Sequence, residues 1–167
     1  MSSAPEAAYS TLNSPFESGL RALVVLSESY PRRFDLQRLL MLDYLLVNSG
    51  DITGSPASLH PATPHRSGEV LVRRELVERG LKLFISRGLV ERHFDEAGIT
   101  YAASDLCPTF LDFLQAGYTL ALKERAAWVA STYANMPDPE LRALFDRNIG
   151  RWGSEFELES ILFEEEP

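Results

Sequence analysis

The first half of the chain carries apolar residues at the spacing of amphipathic helices. One segment begins at an Asn-Ser pair (13–14) that can cap a helix, has a proline in its first turn, and ends at Pro31. The next runs from a capping Asp35 to an Asn-Ser-Gly sequence and is apolar nearly all round, which favours the centre of a core over a face on a partner. The third covers about residues 69–87, and Gly88 suits the left-handed position past a helix end. The apolar stripes of the first and third segments are Phe16, Leu20, Leu23, Val24 and Leu26, and Leu76, Val77, Gly80, Leu81 and Phe84.

The second half begins with strand-like runs at 90–94 and 99–102, which an Asp-Glu-Ala-Gly turn joins into a β-hairpin. One long helix is then expected from residue 104 or 105 to an Asn-Met-Pro-Asp-Pro-Glu sequence. Asp138 is expected to cap a further helix that ends at Gly150, before a short amphipathic element with an acidic tail. The apolar stripe of the long helix is Phe110, Leu111, Phe113, Leu114, Tyr118, Ala121, Leu122, Trp128, Val129 and Tyr133.

Three helices followed by a hairpin is the order of a winged helix-turn-helix. The predicted fold is therefore mainly α with one small β-hairpin (α+β), a winged-helix-like core with a C-terminal helical extension. Residues 1–12 would be a flexible lead, 13–104 the core, and 105–167 the extension packed on that core as a single globular unit. The third helix would take the place of a recognition helix, and the hairpin that of the wing.

Composition places the chain among soluble proteins. Its 167 residues fit one domain, with or without an extension, and 45% are hydrophobic. The N-terminal residues lack the pattern of a secretory signal, and the longest apolar run, 39–47, is too short to span a bilayer. The single cysteine fits a reducing compartment, so a cytoplasmic location is expected. A net charge of −8 argues against a surface that grips nucleic acid throughout, although residues 66–95 are mildly basic.

The irregular segment 51–67 is longer than most loops and holds two histidines, His60 and His65. Zinc would need more ligands, and His93 on the hairpin is the only other histidine. Loop histidines that make hydrogen bonds are the favoured interpretation. Its prolines suit an ordered connector that leads into the third helix.

Enzymatic chemistry finds little support in the sequence. Cys107 stands near a helix start, where a thiolate is stabilised, but no partner base is identifiable, so a structural cysteine is favoured. Helix caps and turns explain the carboxylate pairs Asp35 with Asp43 and Asp95 with Glu96. There is no glycine-rich phosphate loop. We therefore expect no catalytic, metal or cofactor residues, and no enzyme.

DNA binding through the third helix is limited by its side chains. From Arg73 to Gly88, Ser86 is the only residue of the Asn, Gln, Ser and Thr group that reads bases beside arginine, and Glu75 and Glu78 would repel phosphate. Any DNA contact is expected to reach the backbone only, and a protein-binding winged helix is favoured. The available cations are Arg66, Arg73, Arg74, Lys82, Arg87 and Arg92.

Four stretches of the sequence resemble the middle component of ABC-three-component systems, the Lamassu-type anti-phage defence systems of bacteria. "HRSGE" and "GRWGSEFE" are the most distinctive strings, and the similarity runs over about residues 11–162. The resemblance implies a small non-enzymatic subunit that bridges an SMC- or Rad50-like ATPase and an effector, often a nuclease. It supplies no catalytic motif. The four stretches are 11–31, 35–52, 58–89 and 150–162.

A partner-docking surface is the hypothesis for the residues around the long loop and the "GRWGSEFE" string. A Pro-stiffened loop beside an arginine cluster is unusual in an acidic protein and motivates it. The residues concerned are His65, Arg66, Arg73, Arg74, Arg151 and Trp152.

Two other functions remain open at this stage. A winged-helix transcription regulator would form a dimer through the long C-terminal helix and bind DNA in a salt-sensitive manner. A metal-dependent hydrolase would use the histidines and would purify with zinc. The sequence leaves open the role of the acidic tail.

Overall fold

The structure is a computed structural model that describes residues 14–52, 54–60, 69–96 and 98–149. The residues described are mostly helical, with one antiparallel hairpin, which confirms the predicted α+β class. In chain order the elements are α1 (Pro15–Glu28), α2 (Leu36–Val47), α3 (Glu69–Ser86), β1 (Val90–Asp95), β2 (Gly98–Ala103), α4 (Cys107–Asp112), α5 (Gly117–Tyr133) and α6 (Asp138–Ile149), with a 3-10 turn (Ser49–Asp51) after α2.

Helices α1 and α2 begin where the sequence predicts. The Ser14 hydroxyl accepts a hydrogen bond from the Glu17 backbone N–H at 3.1 Å, and the Asp35 carboxylate accepts one from the Arg38 N–H at 2.8 Å. Each cap satisfies a backbone donor that a helix start leaves without an intrahelical partner. At the end of α3, Gly88 has a φ of +73°, the left-handed conformation expected there.

Helix α2 occupies the centre of the core. Every side chain from residue 39 to 49 is buried, because α1, α3 and α5 all pack against this helix. Removing one large apolar side chain from water contributes roughly 1.5–3 kcal/mol, so α2 supplies much of the driving force for folding. The predicted central position is confirmed.

Helices α1 and α3 form the most extensive helix contact, and they cross at two glycines. A Cβ atom added at Gly19 would lie 2.8 Å from the Cα of Gly80, and one added at Gly80 would overlap the backbone of Gly19 and Pro15. The two backbones therefore touch with no side chain between them. This contact determines the position along α1 at which α3 crosses it, and the angle of the crossing.

The hairpin pairs in the register Val90–Ala103 to Asp95–Gly98. A further bridge joins Phe34, which lies between α1 and α2, to Tyr101 of β2 through reciprocal hydrogen bonds of 3.0 and 2.8 Å. Strand β2 thus lies between β1 and Phe34, and it connects the hairpin to the start of α2.

The long helix predicted after the hairpin is wrong, because the chain forms two helices, α4 and α5, with a break at 113–116. The backbone carbonyls at the end of α4 accept hydrogen bonds from side chains outside that helix. The Lys123 ammonium donates to the Leu111 and Leu114 carbonyls, the latter at 2.9 Å, and the Gln115 amide donates to the Asp112 carbonyl at 2.6 Å. Such side-chain donors satisfy a helix C-terminus and allow the chain to turn.

Helix α6 begins at Asp138 itself, where the sequence predicted the cap, a difference of one residue. The predicted lead (1–12), most of the second half of the long loop and the C-terminal element lie outside the described residues. The division at residues 104 and 105 and the winged-helix assignment stay predictions. None of the helices in the described ranges is both long enough and apolar enough to cross a bilayer.

Candidate partner-docking surfaces

Arg73, a predicted docking residue, belongs to an ion cluster inside the protein. Its Nη1 donates to Oδ2 of Asp43 at 2.6 Å, while Arg21 Nε donates to Oδ1 at 2.7 Å. Asp43 is 1% exposed and Arg73 only 12%. Burial alone would raise the pKa of Asp43, but the two guanidinium groups outweigh it and hold that pKa below its ordinary value. The cluster therefore joins α1, α2 and α3 as charged groups.

The internal role of Arg73 changes how its docking role can be tested. An alanine at this position would remove one of two cations that neutralise a buried carboxylate, which costs stability whatever the partner does. Loss of binding in such a variant would therefore not isolate docking. The docking role of Arg73 stays a prediction.

A second polar group adjoins the ion cluster and includes the loop histidine His60. Its Nε2 and the hydroxyl of Tyr118 are hydrogen-bonded at 2.6 Å, with the two rings stacked at 22°. Tyr118 also bonds the buried carboxyl of Glu17, whose pKa is raised by burial. Burial lowers the pKa of His60 to about 4, so the imidazole is neutral at pH 7. The prediction of a hydrogen-bonded loop histidine is confirmed for His60.

The other candidates for site chemistry are distributed as follows. No three His, Cys, Asp or Glu side chains of the described ranges lie close enough together to hold a metal ion. Cys107 is buried, and burial raises its pKa to about 11, so it is a protonated thiol at pH 7. Four predicted docking residues fall outside the described residues, namely His65, Arg66, Arg151 and Trp152.

The remaining cations of α3 fall into two groups. Arg74 is the second predicted docking residue of this helix, and its Nε lies 3.7 Å from Oε1 of Glu78. The Nη1 of Arg79 lies 3.9 Å from Oε1 of Glu75. Further along, Lys82 and Arg87 are exposed, and neither has a carboxylate partner within the described part of the chain. Positive charge that is free to meet another molecule is therefore concentrated at the C-terminal end of α3.

An apolar groove lies at that same end of α3, between α1, α3 and α4. Its volume is about 540 Å³, and Arg87 is the one charged residue among the described residues that line it. Three rings follow one another along it, with centroids 5.7 Å apart for Phe16 and Phe84 and 6.0 Å apart for Phe84 and Phe110. The lining residues are Phe16, Leu83, Phe84, Arg87, Leu89 and Phe110, and we call this surface the apolar groove.

Several residues of the predicted core stripes are on the surface instead. Phe16 is 50% exposed and Phe113 is 80% exposed. Phe16 stands in the first turn of α1, and it stays 50% exposed although its ring centroid lies 5.7 Å from that of Phe84 in α3. Phe113 lies at the break after α4, which the prediction of one continuous helix did not include. Leu106 is also exposed and approaches Gly88 beside the groove.

No pattern in the sequence indicated the apolar groove directly. Its residues come from three separate segments, and in each segment one aromatic residue (Phe16, Phe84 and Phe110) was predicted to belong to a buried stripe. Only the crossing of α1 over α3 and the break after α4 bring them together on the surface.

A polar groove of about 360 Å³ lies beside α2 and the start of α6. Its central cation, Arg38, donates to the carbonyls of Tyr133 (2.9 Å), Ala134 (3.2 Å) and Met136, and to the carboxylate of Asp138 (2.6 Å). Through these contacts the Arg38 guanidinium holds the end of α5 and the start of α6 against α2. We therefore assign Arg38 a structural role.

One family model matches the chain over residues 11–155, and its description is ABC-three component (ABC-3C) system Middle Component 2. The match covers most of the chain, which therefore belongs to this family of middle components. No curated protein and no solved structure matches the chain. The resemblance drawn from the sequence is confirmed at the level of the ABC-three-component middle component, and membership of a defence system accords with an accessory role.

Proposed function

We propose that this chain is a non-enzymatic scaffold subunit that bridges an SMC- or Rad50-like ABC ATPase and an effector, often a nuclease, in a Lamassu-type anti-phage defence complex in the cytoplasm. The family supports the proposal, because a middle component of a three-component system has partner subunits. In this complex the chain needs no cofactor. Any contact with DNA is made within the complex and reaches the backbone only.

The observation that carries the proposal is the apolar groove. A contiguous apolar surface with aromatic side chains at its rim is costly to leave in water, and such surfaces mark interaction sites. Its lining includes Arg87, an exposed cation that no carboxylate of the described residues pairs with, which adds polar specificity at the edge of the site. A subunit that works by binding other proteins needs a surface of this kind.

The winged-helix interpretation of the core is part of the proposal. The bridge between Phe34 and Tyr101 adds a third strand position beside the hairpin, in the segment between α1 and α2. This supports the order helix, short strand, two helices and hairpin. A winged-helix subunit that binds an SMC-type ATPase would use the same order without reading DNA.

The pairing of the α3 arginines argues against the regulator hypothesis. A DNA-reading helix presents its cations to phosphate and base edges along its exposed face. In this chain Arg73, Arg74 and Arg79 each lie within 4.0 Å of a carboxylate on the protein. The groove, by contrast, favours a protein partner.

The test is co-expression of the tagged chain with the genes that flank its own, followed by pull-down and size-exclusion chromatography. We expect stable capture of an ATPase-like subunit and of an effector. The chain could instead elute alone as a dimer and shift DNA at physiological salt. That result would replace the scaffold with a winged-helix transcription regulator.

A further inference from the structure

We propose that the apolar groove binds an amphipathic segment of a partner subunit, one that carries large apolar side chains and, beside them, a carboxylate that pairs with Arg87. The inference rests on the proposed function, because it names the surface by which the scaffold holds one of its partners. It is independent of which partner supplies the segment.

The shape of the groove suits side chains rather than a single small group. At about 540 Å³ it has the size of clefts that enclose drug-sized ligands, roughly 300–1,000 Å³. The described residues of its lining are aliphatic and aromatic apart from Arg87. Helix-in-groove recognition uses this arrangement, with anchors at positions i, i+3 or i+4, and i+7 of the bound helix.

The floor of the groove is fixed before any partner arrives. Phe84 and Leu89 are buried beneath it, and one turn before Phe84 the backbones of Gly19 and Gly80 are in contact. Phe16 projects from the first turn of α1, whose cap at Ser14 is complete. A preformed floor lowers the ordering cost of association, so the apolar area contributes more fully to affinity.

The charge of the groove selects among partner segments. Arg87 lines it, is exposed, and lacks a carboxylate partner within the described residues. A cation also suits the end of a helix through the helix dipole, so its position alone indicates nothing. The conjunction matters, because an unpaired guanidinium at the edge of an apolar groove favours a ligand that presents apolar groups and a carboxylate together.

A nucleic acid fits this surface less well. A phosphate could pair with Arg87, but it would leave the apolar floor in water. Among the described residues that line the groove Arg87 is the only charged one, so these residues offer no second cation for a neighbouring phosphate.

Two other occupants are outcomes of the test. One is a second copy of the chain. The other is the chain's own C-terminal sequence, which contains apolar residues and six glutamates from residue 155 onward. Both would show in the isolated chain, whereas a partner segment would not.

The experiment measures capture of co-expressed partner subunits by the full-length chain and by two groove variants, Phe16→Asp and Arg87→Glu. Both residues are exposed, so neither change removes a buried group. We expect each to reduce capture at least about tenfold, since each opposes one half of the recognition. Matched controls are Phe94→Asp, an exposed aromatic on the hairpin, and Lys82→Glu, an unpaired cation of α3 outside the lining. These should capture partners as the wild type does.

The outcomes separate the inference from the proposed function. Capture that is undiminished in both groove variants would overturn the groove and leave the scaffold standing. If the wild type captured no partner, the scaffold proposal would fail and this inference with it. Circular dichroism melting checks that the variants are folded. Charge reversal gives the confirming result, because Arg87→Glu should be rescued by a lysine in place of the partner's carboxylate.

Hydrogen exchange and light scattering on the isolated chain distinguish a partner segment from the two other possible occupants of the groove. If deletion of residues 155–167 raised exchange at 83–89, the groove would be filled by the chain itself. A dimer broken by both groove variants would assign it to a second copy. Either result would overturn the partner assignment, whereas an unprotected groove in a monomer supports it.

Discussion

Two regions reverse the usual placement of charged residues outside and apolar residues inside. They are the ion cluster of Arg21, Asp43 and Arg73 and the apolar groove. Charges are buried where α1, α2 and α3 meet, and aromatic rings are exposed where α3 ends. The cluster is satisfied entirely by the chain itself. The groove has large apolar groups and a cation that the described residues do not satisfy. The cluster thus specifies how three helices meet, whereas the groove is available to another molecule.

If this contrast holds, changes in the cluster should reduce stability most. Asp43→Asn would remove the buried negative charge that Arg21 and Arg73 share, and we expect the free energy of unfolding to fall by about 3–5 kcal/mol. Urea denaturation measures it. Asp112→Asn, an exposed acidic residue at the end of α4, is the matched control and should change stability by less than about 0.5 kcal/mol. A loss under 1 kcal/mol in Asp43→Asn would mean that the cluster is not a fixed element of the core.

A change at the glycine contact between α1 and α3, beneath the groove, should cause the second-largest loss of stability. In Gly80→Ala the new methyl group overlaps the backbone of α1, and overpacking of this kind costs about 1–3 kcal/mol. Gly117→Ala is the control, because its added Cβ meets nothing within 4 Å and alanine is the better helix former. Thermal melting should show a lower midpoint for the first variant and an unchanged or higher midpoint for the second. Equal midpoints would show that α1 and α3 can separate at little cost.

The pH dependence of stability that arises from His60 should be a smaller effect. Its folded pKa of about 4 lies below its ordinary 6.5, so the unfolded chain binds this proton first as the pH falls. The stability linked to His60 is complete above pH 6.5 and is lost between pH 6.5 and 4. Because the side chain is partly exposed, we expect only about 1–2 kcal/mol. Denaturation at pH 7 and pH 5 should show a shallower loss for His60→Gln, while His93→Gln should behave as the wild type.

The groove rim should affect stability least. Phe16→Asp removes a ring that is 50% exposed and places a carboxylate in the first turn of α1, where the helix dipole favours it. We expect a change of less than about 1 kcal/mol in the free energy of unfolding. Phe84→Ala, on the buried floor, should cost about 3–5 kcal/mol. A large loss in Phe16→Asp would make the rim part of the core and weaken the contrast between the two regions.

The sequence predicted those features that depend on neighbours along the chain. Ser14, Asp35 and Gly88 marked helix ends correctly because caps act within a few residues, and the uninterrupted apolar run around Leu42 marked the central helix. The hairpin also followed from local alternation and a turn.

Other features depend on contacts between distant segments and had no local signal. The break after α4 requires Lys123 of the following helix to bind the Leu111 and Leu114 carbonyls. Asp43 could be recognised as an interruption of an apolar run, but its partners Arg21 and Arg73 come from two other helices. The groove likewise exists only after α1 and α3 cross.

The lysine contact that ends α4 has a consequence for the groove itself. With six residues, α4 is too short to persist as an isolated helix, yet it carries Phe110, one wall of the groove. That wall is held partly by Cys107 and Leu111 in the core and partly by a single ammonium group that reaches across from α5. A partner therefore meets a groove with two unlike walls, one set by backbone contact between α1 and α3 and the other held by side chains on a helix of six residues.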